Sequence, residues 1–204
     1  MKPTGWIVPA LWKGDRAFII AGGLSVAEQL PEIARIQGRI LAIKHAVLLR
    51  PDAEIMFWAG ADWHRENGQL ITAHRGAMLV KRKVDDDVPS WIRQVERAKP
   101  DADGIAGFAG DRRRLGGLCA GGSALNLCVH LGATEIVLIG FDFGGDHWLP
   151  SYRHRTQSED HHARHRAALE RMAAPIAGRG VQVWNASHRS TLTGFARRGI
   201  DEFV

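Results

Sequence analysis

Residues 17–30 read AFIIAGGLSVAEQL, and their order sets the fold. Phe18, Ile19 and Ile20 form a short apolar run that reads as a buried strand. Gly22 and Gly23 break it, and Ser25 can cap the next segment. Val26, Leu30, Ile33 and Ala34 then recur at helical spacing. Pro31 either kinks that helix or restarts it. Strand, glycine turn, helix is the junction at which open α/β sheets hold ligands, because backbone N–H groups and a helix N-terminus converge on one crevice. Gly22 and Gly23 would let a phosphate approach the backbone, and Ser25 would add a hydroxyl donor. A tight turn without any ligand is the alternative for so short a glycine motif.

Outward from this unit the alternation repeats. Gly38 closes the first helix, and residues 39–43 (RILAI) read as a second strand with Lys44 and His45 at its carboxyl end. A short helical turn at 46–49 is stopped by Pro51. Residues 54–59 (EIMFWA) are a third strand that runs into Gly60, Ala61, Asp62 and Trp63. The middle is less regular, with a strand expected at 77–80 and a helix capped by Ser90 through Arg97. Residues 104–117, containing GDRRRLGG, suit either a mobile loop over the site or a surface excursion. Gly121, Gly122 and Ser123 open a helix whose apolar face is Leu125, Cys128, Val129 and Leu131, and Gly132 ends it. Strand 135–139 (EIVLI) leads into Gly140, Phe141, Asp142 and Phe143. A polar loop at 150–160, a helix at 163–177 and a last strand at 181–184 complete the chain. This pattern predicts a three-layer α/β fold with a mainly parallel sheet, formed by residues 17–204 as a single domain. Residues 1–16 form an N-terminal arm, whose Trp6 and Trp12 would pack on their own domain or on another subunit of a homo-oligomer.

The bulk composition narrows the function classes. The chain has 204 residues, 45% of them apolar, which suffices for one sizeable core. Its net charge of +5 suits an anionic ligand such as a nucleotide. The densest basic clusters are Lys81-Arg82-Lys83, offset by Asp85-Asp86-Asp87, and Arg112-Arg113-Arg114. Both read as solvated faces, and without a DNA- or RNA-binding motif nucleic acid is not an expected partner. No apolar run approaches the roughly 18 residues of a membrane span. The first residues lack the pattern of a secretory leader, and Cys119 and Cys128 read as reduced thiols, so a cytoplasmic location is expected.

Four stretches also agree, in order, with a known group. AFIIAGGLSV resembles its "GxGPSL" opening, and LAIKHAVLL with EIMFWAGADW resembles its second and third strands. GGSALNLCVHLGATEIVLIGFDF resembles its "SG…A…A..LG…I.L.G.D" segment, and VQVWNASHRSTLTGFARRGIDEF its "NAS..S.L..FPR..LEE" ending. The chain thus resembles the Rossmann-like superfamily of bacterial sialyltransferases and archaeal 6-hydroxymethylpterin diphosphokinase-like proteins, and its ending is most similar to phage and prophage relatives. The resemblance covers about residues 17–203 with an unmatched middle. It implies a nucleotide-binding domain in which Gly22, Gly23 and Ser25 lie at the phosphate and ribose of the donor. Lys44, Asp62, Gly122, Ser123, Gly140 and Asp142 fall on the group's remaining site positions. Two departures stand out. Leu24 replaces the usual proline, and Lys44 replaces an asparagine, exchanging an amide for a cation that prefers phosphate.

Half of the ten histidines lie between 147 and 165: His147, His154, His161, His162 and His165. By position, His161 or His162 resembles the group's general base, and His147 could contact phosphate; a solvated helix start is the alternative. His161 and His165 stand four apart and could face a metal together. The HExxH pattern is absent, and no metal is assigned. Asp142 is the carboxylate expected to hold a ribose, an acceptor hydroxyl or Mg²⁺, or else to cap the next turn. No G-x-S-x-G surrounds Ser187, no GK[ST] comes after a glycine loop, and Ala27 and Glu28 depart from GxGxxG. Two functions fit these residues. One is a glycosyl- or diphospho-transferase that uses a nucleotide or nucleotide-sugar donor, with or without Mg²⁺. The other is a non-catalytic, phage-derived binding or assembly protein that keeps the fold.

Overall fold

A computed structural model describes residues 5–60, 62–74, 77–86, 88–152 and 157–204. His154, Ala61, Asp87 and the first four residues of the arm lie outside the described residues. The described residues form a single parallel sheet of nine strands. Its centre consists of β1 (Arg16–Ile20), β2 (Arg39–Ile43), β3 (Ile55–Trp58), β4 (Met78–Arg82), β7 (Glu135–Ile139) and β8 (Gln182–Asn185). The outer strands are β5 (Arg93–Arg97), β6 (Arg114–Leu115) and β9 (Ala196–Arg197). Across the sheet they stand in the order β6-β5-β4-β3-β2-β1-β7-β8-β9.

Side-chain alternation explains why the inner strands read as unbroken apolar runs, since both faces are covered. Ala17, Ile19, Leu41, Ile55, Phe57, Ile136 and Leu138 point into one core. That core is closed by α4 (Ala120–Leu131), α5 (Glu159–Glu170) and α6 (Ala173–Ala177). Phe18, Ile20, Ile40, Ala42, Met56, Trp58 and Val137 point into the other. It is closed by α1 (Leu30–Arg35), α2 (Trp63–Glu66), α3 (Gly68–Ala73) and three 3-10 segments, Leu24–Glu28, Lys44–Leu48 and Ile200–Phe203. This is the three-layer α/β arrangement expected, Rossmann-like in its layers. The described part of the arm belongs to the first core, with Val8 and Trp12 fully buried and the Trp12 indole donating to Glu54. Among the described residues no helix is long and apolar enough to cross a membrane.

Several elements differ from the sequence expectation, each for a physical reason. The segment after Gly23 is a 3-10 turn, and Pro31 restarts the chain as α1 at a position where its missing N–H costs nothing. Residues 93–97 form β5 instead of a helix, because pairing with β4 overrides the weak local preference of RQVER. The helix expected over 163–177 begins earlier, at Glu159, where the Ser158 hydroxyl accepts the His161 N–H. It then breaks at Arg171–Met172, which leaves Pro175 in the first turn of α6. Residues 104–117 pack against α4. The Asn126 side chain accepts from Ala109 N and Gly116 N, and Gly117 N donates to Ala106 O.

Gly132 ends α4 in the left-handed region, with φ 96°. Gly132→Ala should therefore cost about 1–2 kcal/mol in urea denaturation. Gly178 closes α6 at φ −60°. Gly178→Ala should be neutral or stabilising by up to about 1 kcal/mol.

Candidate functional site

The order of the sheet reverses between β1 and β7, so the loops leaving their carboxyl ends part and leave a crevice. A cavity of about 520 Å³ opens there and extends over the ends of β2, β3 and β4. Gly22 and Gly23 form part of its wall. A side chain on Gly22 would collide with the His147 ring, and one on Gly23 with the Asp142 carboxylate. The glycines thus serve close approach, though of protein groups. Trp148 N donates to Gly22 O, which ties the loop after β7 onto the glycine turn.

Asp142 is 3% exposed and joins the two sides of the crevice. Its Oδ2 accepts Ser25 N at 2.8 Å and its Oδ1 accepts the Ser25 hydroxyl at 2.5 Å. Gly23 N is likewise spent on Gly140 O at 2.9 Å. Ser25 is fully buried and does not line the cavity. Asp142 does line it, yet both its oxygens are engaged by Ser25, so it holds the turn as a cap would.

The other expected residues divide. Lys44, Gly140, His147, His161 and His162 line the cavity with the two glycines. Gly122 and Ser123 stand behind it within the buried first turn of α4, leaving Ala120 and Gly121 on the wall. Asp62 pairs with Arg65 at the surface and lines a neighbouring cavity of about 740 Å³. The two cavities share Lys44, Gly60 and Tyr152, and the Lys44 ammonium donates to the Tyr152 hydroxyl at 3.1 Å. Lys44 and Phe143, both on the main cavity's wall, hold positive φ of 54° and 52°. Such conformations store roughly 1–3 kcal/mol of strain each and gather at functional sites.

The histidines form two groups. The His147 ring lies 4.1 Å from the Tyr152 ring, centroid to centroid. On α5 the His161 and His165 rings are 3.9 Å apart. Burial pushes His165 down to about 4, helped by His161 and Arg164. Burial, then His162 and Arg164, lowers His161 as well. Both imidazoles are therefore neutral near pH 7. Among the described residues no group of three or more His, Cys, Asp or Glu is placed to hold a metal ion.

Arg82 and Cys119 line the cavity without having been singled out as site residues from the sequence. The KRK run read as a solvated face, but Lys81 is fully buried against Asp85 and Arg82 is 6% exposed. A signal was present. Period-two alternation along MLVKR puts Arg82 on the same face as Val80, which belongs to the core under α4. The Arg82 Nη1 donates to Gly117 O at 2.5 Å and to the Ser123 hydroxyl at 2.7 Å.

Ser25→Ala should cost about 1.5–3 kcal/mol in chemical denaturation, because it strips a buried carboxylate of a donor. Asp142→Ala should cost more, and the double variant less than the sum. His165 supplies a second check. Its folded value lies below the unfolded one, so the unfolded chain binds the extra proton between about pH 6.5 and 4. Stability should be full above that window and fall as the pH drops through it. His165→Gln should flatten the decline of melting temperature, leaving the part due to His45, His130 and His161, which are shifted the same way.

The sequence matches no protein-family model and no curated protein.

Proposed function

We propose that the chain is a nucleotide-dependent transferase, moving a glycosyl or diphospho group from an activated nucleotide donor to an acceptor hydroxyl. The observation that carries this reading is the cavity at the β1/β7 crossover, where neutral imidazoles and buried positive charge face one space. Its volume lies in the range of roughly 300–1,000 Å³ that small-molecule sites occupy. A buried arginine on its wall supplies the positive charge that suits a phosphorylated ligand. His161, kept neutral, would accept the proton of the acceptor hydroxyl as that oxygen attacks the donor. His147 and Tyr152 would enclose the ligand from the loop after β7, and Asp142 would position the glycine turn.

The rival reading is a non-catalytic binding or assembly protein that retains the fold. It is favoured by the commitment of the Ser25 donors to Asp142, which leaves the glycine turn without the hydroxyl and N–H that a donor phosphate would take.

A thermal-shift series with CMP, CDP, UDP, GDP, ADP and ATP, with and without Mg²⁺, separates the two. A nucleotide at a hundredfold excess over its dissociation constant should stabilise the fold by about 2.7 kcal/mol and raise the melting temperature. His161→Asn should keep that shift and lose transfer. Absence of any shift in folded protein would favour the binding module.

A further inference from the structure

Arg82 is a buried cation. The guanidinium is fixed through Nη1, which Gly117 O and the Ser123 hydroxyl hold against the first turn of α4. Its Nε is buried with no hydrogen-bond partner. No carboxylate of the described residues pairs with the group; of its charged neighbours the Arg97 cation lowers its pKa and Cys119 acts the other way. Burial lowers its pKa to about 10, so it stays charged at neutral pH. A buried charge is costly unless a partner compensates it.

The helix beside it carries a matching deficit. α4 spans twelve residues, its N-cap Cys119 supplies no side-chain cap, and its first turn holds no acidic residue. Cys119, Ala120 and Gly121 line the same cavity as Arg82. The N–H groups of a helix's first turn have no partner within the helix and carry the positive end of its dipole. Of the carboxylates on this cavity, Asp142 is engaged by Ser25, and Asp146 lies on the loop after β7.

We propose that Arg82 and the N-terminal turn of α4 form a subsite for the phosphate or diphosphate of the bound ligand, the guanidinium supplying charge and the first-turn N–H groups supplying donors. The phosphate of a donor then lies at α4, away from the glycine turn after β1, where Gly23 N and both Ser25 donors are already engaged. The inference rests on the cavity being a ligand site, as in the transferase reading, and is independent of whether transfer takes place.

The test uses titration calorimetry with pyrophosphate and inorganic phosphate, beside thermal shifts with the nucleotides above and with cytidine and uridine. Ala120→Glu places a carboxylate in the first turn of α4, a position that favours the helix and repels an anion. Arg82→Lys keeps the charge and loses the planar guanidinium that Gly117 O and the Ser123 hydroxyl hold in place. The intact chain should bind pyrophosphate, more weakly at high salt, and each variant should weaken it at least tenfold while its unliganded melting temperature shows that it folds. No pyrophosphate or phosphate binding by the folded chain would overturn the subsite, as would equal binding by Ala120→Glu. A nucleotide shift that Ala120→Glu leaves unchanged would overturn the subsite and leave the transferase reading standing. Pyrophosphate bound through Arg82, with no response to any nucleotide, would uphold the subsite and remove that reading.

Discussion

The carboxylate of Asp142 is the contact on which the rest of the site depends. It leaves the end of β7 and accepts both the N–H and the hydroxyl of Ser25, beyond the end of β1. A parallel sheet that reverses its winding at this point would otherwise have two diverging loops and several unpaired backbone donors. The bond closes that gap, and its geometry requires Gly23, because no side chain fits beneath the carboxylate. Gly22 answers a second constraint of the same kind, the passage of His147 across the turn. The positions of the cavity wall result from these two contacts.

Much of this was legible in the residues, and unevenly. β2 and β7 coincide with RILAI and EIVLI because buried central strands combine β-branched residues with sharp glycine boundaries. The glycine ending α4 was equally plain, since only a left-handed residue ends a helix in that way. What failed was whatever depends on a partner in another element. RQVER has no strand character until β4 lies beside it. Arg82 looks solvated while its run is read as charge, and buried once the alternation of β4 is traced onto the face under α4. Asn126 reads as an ordinary polar residue on a helix. Its role in holding residues 109 and 116 appears only when that loop is folded back.

The candidate site divides in the same way. Gly22, Gly23, Lys44, Gly140, Asp142 and the histidines were reachable because strand ends in such sheets converge. Ser25 and Ser123 show the limit of that rule. Both lie at helical starts beside glycines, and both hydroxyls bind other protein groups. A serine next to a glycine turn can serve a ligand or the turn itself, and the choice is made by an acceptor from another loop. Here Asp142 and Gly116 O supply those acceptors.

The sheet's connectivity bears on how the chain acquires its shape. β1 occupies the middle of the sheet, yet Arg16 pairs with Glu135 and Ser25 with Asp142, partners 119 and 117 residues downstream. During synthesis the first strand emerges early and waits for most of the chain before its second neighbour exists. Contacts of such long sequence separation fold slowly, since the loop entropy is lost before the pairing is gained. A nascent chain that stops short of residue 142 lacks the carboxylate that closes the crevice. The cavity and the completed sheet are therefore one cooperative unit, acquired together and late.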